Sequence, residues 1–200
     1  MQVRELLVEE SARQYIKRMI ADGFPKLLGK GYYAGVFQSP AYGNMAVKVF
    51  NPKVDRAYKR YLTWALAHQD NAYVPKIADV RYLTDEKKRE IGLVFMEKLK
   101  HVTERQLKKF CYYVSLESFA PDTISKEQIA GLKRERDDRH QTLDFEGWDP
   151  EDWATVAANT KDKDLAEITR FLSKQSQTDL HGANVMVNDR GQCVITDPIA

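Results

Sequence analysis

Cysteine is scarce in this chain. Its 200 residues hold two, Cys111 and Cys193, both in apolar surroundings and without the spacing of a metal site. They read as buried thiols of a reducing compartment. Long apolar runs are also missing: no window of about 18 apolar residues occurs, which excludes a membrane-spanning helix. Near the start, Glu5, Glu9, Glu10 and Arg13 interrupt every apolar stretch, so no signal peptide is expected. Neither sign of charge dominates, because 31 Lys and Arg face 29 Asp and Glu for a net charge of +2. That balance leaves no electrostatic footprint for nucleic acid or for a membrane surface. Internal repeats and low-complexity tracts are absent, and no glutamate occurs between Glu10 and Glu86. What is present is a 43% hydrophobic content, enough for a core in one domain or in one domain of two small lobes.

The most informative stretch is Ser176 to Pro198. Two short apolar runs, Val185 to Val187 and Cys193 to Ile195, flank the turn residues Asn188, Asp189, Arg190 and Gly191. Asn, Asp and Gly are the chemistry of a tight turn, so the stretch predicts a β-hairpin. A hairpin brings its ends together, which makes neighbours of Asn184, just before the first strand, and Asp197, just after the second. Two oxygen donors side by side, with the carboxylate of Asp179 five residues before Asn184, suit a hard cation such as Mg²⁺ that holds phosphates.

Upstream, residues 3–21 show helical periodicity, and Asp22-Gly23 supplies the stop. Strands are expected from Leu27, from Val36 and over Met45 to Phe50. Between the first two lie Gly29 and Gly31, whose missing side chains let a backbone approach phosphates with its N–H groups. A strand rather than a helix follows this turn, so it is not a dinucleotide-binding fingerprint. Lys48 interrupts the apolar third strand nineteen residues after Gly29; a lysine there either protects a sheet edge or meets a phosphate. Residues 54–70 read as a helix with Ala57, Tyr61, Leu62, Ala65 and Leu66 on one face. Strands at Pro75 to Tyr82 and Ile91 to Met96 follow, then a helix over 103–118. A charged helix is possible over Ser125 to Gln141. Asp149-Pro150-Glu151-Asp152 opens an amphipathic helix that runs to Leu172 with an interruption near Asn159 to Lys163.

These motifs, taken in order, resemble those of the protein-kinase-like phosphotransferases across nearly the whole chain. Leu28-Gly29-Lys30-Gly31-Tyr32-Tyr33-Ala34-Gly35-Val36-Phe37 follows the pattern of a kinase glycine loop, with Ala34 at the third glycine position. Lys48, the strand ending in Met96 and Glu97, Asp179 with Asn184, and Asp197 come next in kinase order. More narrowly, Gly23 to Gly31, Asp179-Leu180-His181-Gly182-Ala183-Asn184 and Ile195-Thr196-Asp197-Pro198 are similar to the early serine/threonine protein kinase of T-seven-like bacteriophages. The resemblance implies an α/β (α+β), two-lobed fold. An antiparallel five-stranded N-lobe sheet with a leading helix is expected over 1–97, and a hinge with a truncated, mainly helical C-lobe over 98–200. It implies ATP and Mg²⁺ as cofactors. Gly29, Gly31, Val36, Lys48, Met96 and Glu97 would bind ATP, Asp179 and Lys48 would be catalytic, and Asn184 and Asp197 would hold the metal. It further implies serine/threonine phosphorylation of host proteins, including those of RNA synthesis and processing, in the cytoplasm of the infected bacterial host. No membrane or nucleic-acid partner is expected.

The sequence departs from the kinase pattern in places. Gln177-Thr178-Asp179 stands where His-Arg-Asp is usual. Asp179-Leu180-His181 also resembles the loops of aminoglycoside and choline kinases, which keeps a small-molecule phosphotransferase open. The helix at 54–70 lacks the glutamate that usually pairs with the strand lysine. Asp55, Asp70 or a residue of the leading helix substitutes, or Lys48 has no ion pair. The third reading is a catalytically weak kinase fold that binds and inhibits a host protein. Three residues follow Asp197, too few for the activation segment and remaining helices of an ordinary protein kinase, so either the kinase is minimal or the sequence is a piece of a larger protein.

Overall fold

Local sequence chemistry accounts for most of the elements in the computed structural model, which describes residues 26–30, 34–38, 45–84, 88, 90–117, 145, 148–178, 180 and 183–199. Among the described residues the chain is mixed α/β, with two sheets and four helices. The chain folds as two compact units. The first comprises Met1–Leu66 and Lys76–Leu99, the second Ala67–Pro75 and Lys100–Ala200. The expected leading helix over 3–21 and the charged helix over 125–141 fall outside the described residues.

In the first unit, β1 (Lys26–Lys30), β2 (Ala34–Gln38), β3 (Met45–Phe50), β4 (Ile77–Thr84) and β5 (Glu90–Glu97) form one sheet in the order β1-β2-β3-β5-β4. Every neighbouring pair is antiparallel. Alternation along β3 separates two faces. Val47 joins Leu93 and Phe95 in a buried cluster, while Ala46, Lys48 and Phe50 point the other way and are also buried. Phe50 lies opposite Gly92 in the register. A Cβ on Gly92 would overlap Phe50 Cε1, so the absence of a side chain there makes room for the ring.

Helix α1 (Arg56–Ala67) covers the Phe50 face. Asp55 starts it by accepting from the Tyr58 N–H at 3.0 Å, the work of an N-cap carboxylate. Its buried stripe is Tyr58, Tyr61, Leu62 and Ala65, spaced i, i+3, i+4, i+7. The sequence reading placed Ala57 and Leu66 on this stripe. Instead Ala57 is half-buried and Leu66 exposed, because they flank the Tyr58-centred stripe on either side. Tyr58 meets Phe50 edge-on, with ring centroids 4.9 Å apart at 85°.

In the second unit, α2 (Glu104–Glu117), α3 (Pro150–Asn159) and α4 (Lys163–Leu172) accompany a small sheet of β6 (Lys100–His101), β7 (Val185–Val187) and β8 (Cys193–Ile195). Asp149 caps α3 by accepting from Glu151 and Asp152 N–H groups, and Asp152 accepts from the Asp149 N–H in return. This reciprocal box with Pro150 in the first turn is what Asp149-Pro150-Glu151-Asp152 predicts. The interruption expected near Asn159 to Lys163 is real: α3 ends at Asn159, and Asp162 caps α4. Phe110, Phe145, Trp148 and Trp153 form a continuous aromatic cluster. Among the described residues no helix is long and apolar enough to cross a membrane.

Candidate active site

Register aligns much of the predicted nucleotide set in the first unit. Gly29 lies opposite Val36, Val36 opposite Lys48, and Lys48 opposite Val94. Residues directly opposite in an antiparallel pair point to the same face, so Gly29, Val36 and Lys48 form one row. Two strand spacings make it about 10 Å from Gly29 to Lys48. Met96 lies opposite Ala46, two residues along β3 from Lys48, and so shares that face. Gly31, the remaining glycine of the predicted loop, lies outside the described residues.

Glu97 differs from Gly29, Val36, Lys48 and Met96. It lies opposite Met45 and belongs to the opposite face. Its backbone N–H donates to the Lys76 carbonyl at 2.8 Å, and its Oε1 accepts from the Lys76 N–H at 2.8 Å. The pair ties the end of β5 to the chain entering β4, which gives this carboxylate a structural occupation.

Lys48 is 8% exposed. Its Nζ lies 3.3 Å from the centroid of the Tyr58 ring, a cation over the negative face of an aromatic system. Periodicity places Tyr58 on the buried side of α1, but no local signal in the sequence pairs it with a lysine ten residues earlier on a strand.

In the second unit the predicted hairpin forms with Val185 opposite Ile195 and Val187 opposite Cys193. Its turn is held by Asn188, a buried residue. The Asn188 Oδ1 accepts from the Arg190 and Gln192 N–H groups, both at 3.0 Å. Gly191 takes φ +78°, a conformation that favours glycine. Past the paired strands, the Asn184 carbonyl accepts from the Thr196 N–H at 2.9 Å and from Thr196 Oγ1 at 3.2 Å. Asn184 is thereby fixed beside Thr196, the residue preceding Asp197. Thr178 and Ile199 form an isolated antiparallel bridge. Asp179 and His181 themselves lie outside the described residues.

Asn184 and Asp197 are both half-buried, and an amide oxygen and a carboxylate are donor types that suit Mg²⁺, a cation that keeps waters and phosphate oxygens in its other positions. Among the described residues no group of three or more His, Cys, Asp and Glu side chains converges on a metal position.

Behind β8 lies a polar network that the sequence reading did not find. Ile195 N–H donates to the Tyr73 carbonyl at 2.8 Å, and Tyr73 O–H donates to Asp162 Oδ2 at 2.7 Å. Tyr113 O–H donates to the same oxygen at 2.9 Å. Asp162 Oδ1 meanwhile accepts from the Asp164 and Leu165 N–H groups at the start of α4. The buried Asn71 adds Nδ2 bonds to the Asp164 carbonyl and to Glu167 Oε2, and the Ala72 N–H reaches Asp164 Oδ2. Burial works against the Asp162 charge, yet donors led by Tyr73 O–H hold its carboxyl below its ordinary value. Burial, then the bond to Asp162, pushes Tyr113 up to about 12 and Tyr73 further still. Segment 67–75 thus connects α4 to the strand that leads to Asp197.

No curated protein gives a match to this chain. The family model described as bacteriophage T7 protein kinase 0.7 matches residues 5–200. With nearly the whole length matched, the chain belongs to that family of phage protein kinases.

Proposed function

We propose that this chain is an ATP- and Mg²⁺-dependent serine/threonine protein kinase with a protein-kinase-like two-lobed fold and a reduced helical C-lobe. Its substrates are host proteins, including those of RNA synthesis and processing, in the cytoplasm of the infected bacterium. The observation that carries the reading is the 185–195 hairpin, which fixes Asn184 against Thr196 beside Asp197, in a chain of a phage kinase family.

Phosphoryl transfer needs little covalent help from protein; positioning and charge neutralisation do most of the work. Gly29 and Gly31 bring backbone N–H groups to the phosphates, and Val36 and Met96 supply apolar surface for the base. Glu97 contributes through the chain that follows it, because its carboxylate is bonded to Lys76. Lys48 donates charge-assisted hydrogen bonds to phosphate oxygens. Asn184 and Asp197 would hold Mg²⁺, which neutralises phosphate charge when bound. Asp179 orients the substrate hydroxyl and accepts its proton as that oxygen bonds to the γ-phosphorus and the bond from phosphorus to the ADP oxygen breaks.

Incubation with γ-labelled ATP, Mg²⁺ and a host lysate tests the reading. Labelled protein bands bearing phosphoserine or phosphothreonine are the expected result. Label confined to small molecules would establish a small-molecule phosphotransferase instead. Absence of transfer alongside specific capture of one host protein would establish an inhibitory kinase fold.

A further inference from the structure

The two residues that precede Asp197 are held from opposite sides. Thr196 gives its N–H and its Oγ1 to the Asn184 carbonyl, at 2.9 and 3.2 Å. Ile195 lies opposite Val185 of β7 but sends its N–H to the Tyr73 carbonyl at 2.8 Å. Successive N–H groups of a strand point to opposite edges, and β8 is the last strand of its sheet. Tyr73 therefore holds the outer edge of β8. We propose that Tyr73 is a positioning residue of Asp197, its carbonyl setting where the strand delivers that carboxylate. The proposal rests on the Mg²⁺ role of Asp197 given above.

A carbonyl can locate a strand only if it is itself located, and Tyr73 is held through its main chain and its side chain. Its N–H donates to Asn71 Oδ1 at 2.9 Å, and its O–H donates to Asp162 Oδ2 at 2.7 Å. Its ring lies 5.8 Å from that of Phe110. Asn71 is 1% exposed, and its Nδ2 donates to the Asp164 carbonyl at 2.8 Å and to Glu167 Oε2 at 3.0 Å. Between them, the Ala72 N–H donates to Asp164 Oδ2 at 2.9 Å. Three consecutive residues are thus anchored to the beginning of α4. That helix is itself seated by Leu165, Ile168 and Leu172, all buried.

The path from α4 to Asp197 is therefore short and made of hydrogen bonds. Asp162 and Asp164 place residues 71–73, the Tyr73 carbonyl places Ile195, and Asp197 follows two residues later. Groups that orient a metal ligand without touching the ion set its affinity, because a ligand that wanders must be ordered when the ion binds. Tyr73 acts in this way on Asp197, as the Asn184 carbonyl does from the other side through Thr196.

The test compares Tyr73→Phe with Tyr113→Phe in the full chain. Each removes one hydrogen bond to the same oxygen of Asp162, but only Tyr73 carries the carbonyl that holds Ile195. The first readout needs neither metal nor nucleotide: amide hydrogen exchange of Ile195, followed by NMR. Exchange should quicken by about tenfold in Tyr73→Phe and by less than about twofold in Tyr113→Phe. The second is titration of Mg²⁺ in the presence of ATP, read on the Thr196 amide signal. Loss of an outer partner of a metal ligand weakens the metal by about 10–100-fold. Tyr73 acts from further away, so Tyr73→Phe should raise the half-saturating Mg²⁺ by about 3–10-fold, with turnover at saturating Mg²⁺ within about twofold of wild type. Tyr113→Phe should leave the half-saturating Mg²⁺ within about twofold. In an Asp197→Asn background, Tyr73→Phe should have no further effect on Mg²⁺, because it acts through that carboxylate. Equal shifts in the two tyrosine variants, or an equal loss with and without the Asp197 carboxylate, would mark Tyr73 as merely structural and overturn the proposal. So would an unchanged Ile195 exchange rate in Tyr73→Phe. If Asp197→Asn alone leaves Mg²⁺ binding intact, the metal role of Asp197 falls and the positioning role with it, while the exchange data still establish the hold on Ile195. If Tyr73→Phe fails to fold, Asp162→Asn, which withdraws the acceptor at the far end of the same bond, takes its place in both readouts.

Discussion

Replacing Asp162 with asparagine should cost the second unit much of its stability, and the cost should trace to two tyrosines. Asn at an N-cap accepts from helix N–H groups about as well as Asp, so the bonds from Asp164 and Leu165 survive. The Oδ2 position becomes an amide nitrogen, which cannot accept from Tyr73 at 2.7 Å or Tyr113 at 2.9 Å. Hydrogen bonds to a charged group contribute about 1.5–3 kcal/mol each when buried. All three residues are only partly buried, and solvent screening moves both bonds to the low end of that range. Asp162→Asn should therefore destabilise by about 2–4 kcal/mol, a large share of a typical total of about 5–15 kcal/mol. Asp162→Ala should lose the cap as well, about 1 kcal/mol more. The assay is guanidinium unfolding followed by fluorescence of Trp148 and Trp153, which lie in the aromatic cluster of the same unit. In a Tyr73→Phe/Tyr113→Phe background, Asp162→Asn should cost under about 0.5 kcal/mol, since its partners are already gone. An undiminished cost in that background would refute the reasoning. The same variants bear on function, because the Tyr73 carbonyl holds the N–H of Ile195, two residues before Asp197.

Asp197→Asn should weaken Mg²⁺-dependent nucleotide binding together with turnover, whereas Asp179→Asn should leave binding nearly intact and slow transfer by about 10²–10⁴-fold; calorimetric titration beside single-turnover kinetics separates the two. Gly92→Ala should destabilise the first unit by about 1–3 kcal/mol by displacing Phe50, read as a lower urea midpoint, and Phe50→Leu in the same chain should recover part of the loss. Alkaline pH should destabilise the second unit through Tyr73 and, beginning at lower pH, through Tyr113. The folded pKa of Tyr113 is raised to about 12 from an ordinary 10.0, so its contribution is complete below about pH 10 and disappears as pH rises towards about 12. Tyr113→Phe should flatten that limb of the stability profile. The lowered pKa of Asp162 has the opposite sense: its contribution is present above the ordinary carboxyl value and lost as pH falls through the folded one, and acid titration of Asp162→Asn should show a shallower loss.

Elements written in local chemistry could be read from the sequence alone. Asn188 and Gly191 specify their turn through a side-chain acceptor and a positive φ, and the apolar runs beside them specify the hairpin that seats Asn184 beside Thr196. Asp149-Pro150 starts α3, and Asp162 restarts the chain as α4, because capping involves residues within one turn of each other. The apolar run from Met45 to Phe50 likewise put Lys48 on β3, and the order of motifs pointed to the phage kinase family that the match over residues 5–200 establishes. Tertiary structure decided what depends on partners distant in sequence. The two-residue strand β6 is too short for a pattern and exists because it pairs with β7. Segment 67–75 belongs to the second unit because Asn71, Ala72 and Tyr73 find acceptors near the start of α4, about ninety residues onward. Glu97 is held by Lys76, and Lys48 lies against the ring of Tyr58. Periodicity fixes which face a side chain occupies, but the residue it meets there depends on how the elements pack, which no local window of the chain contains.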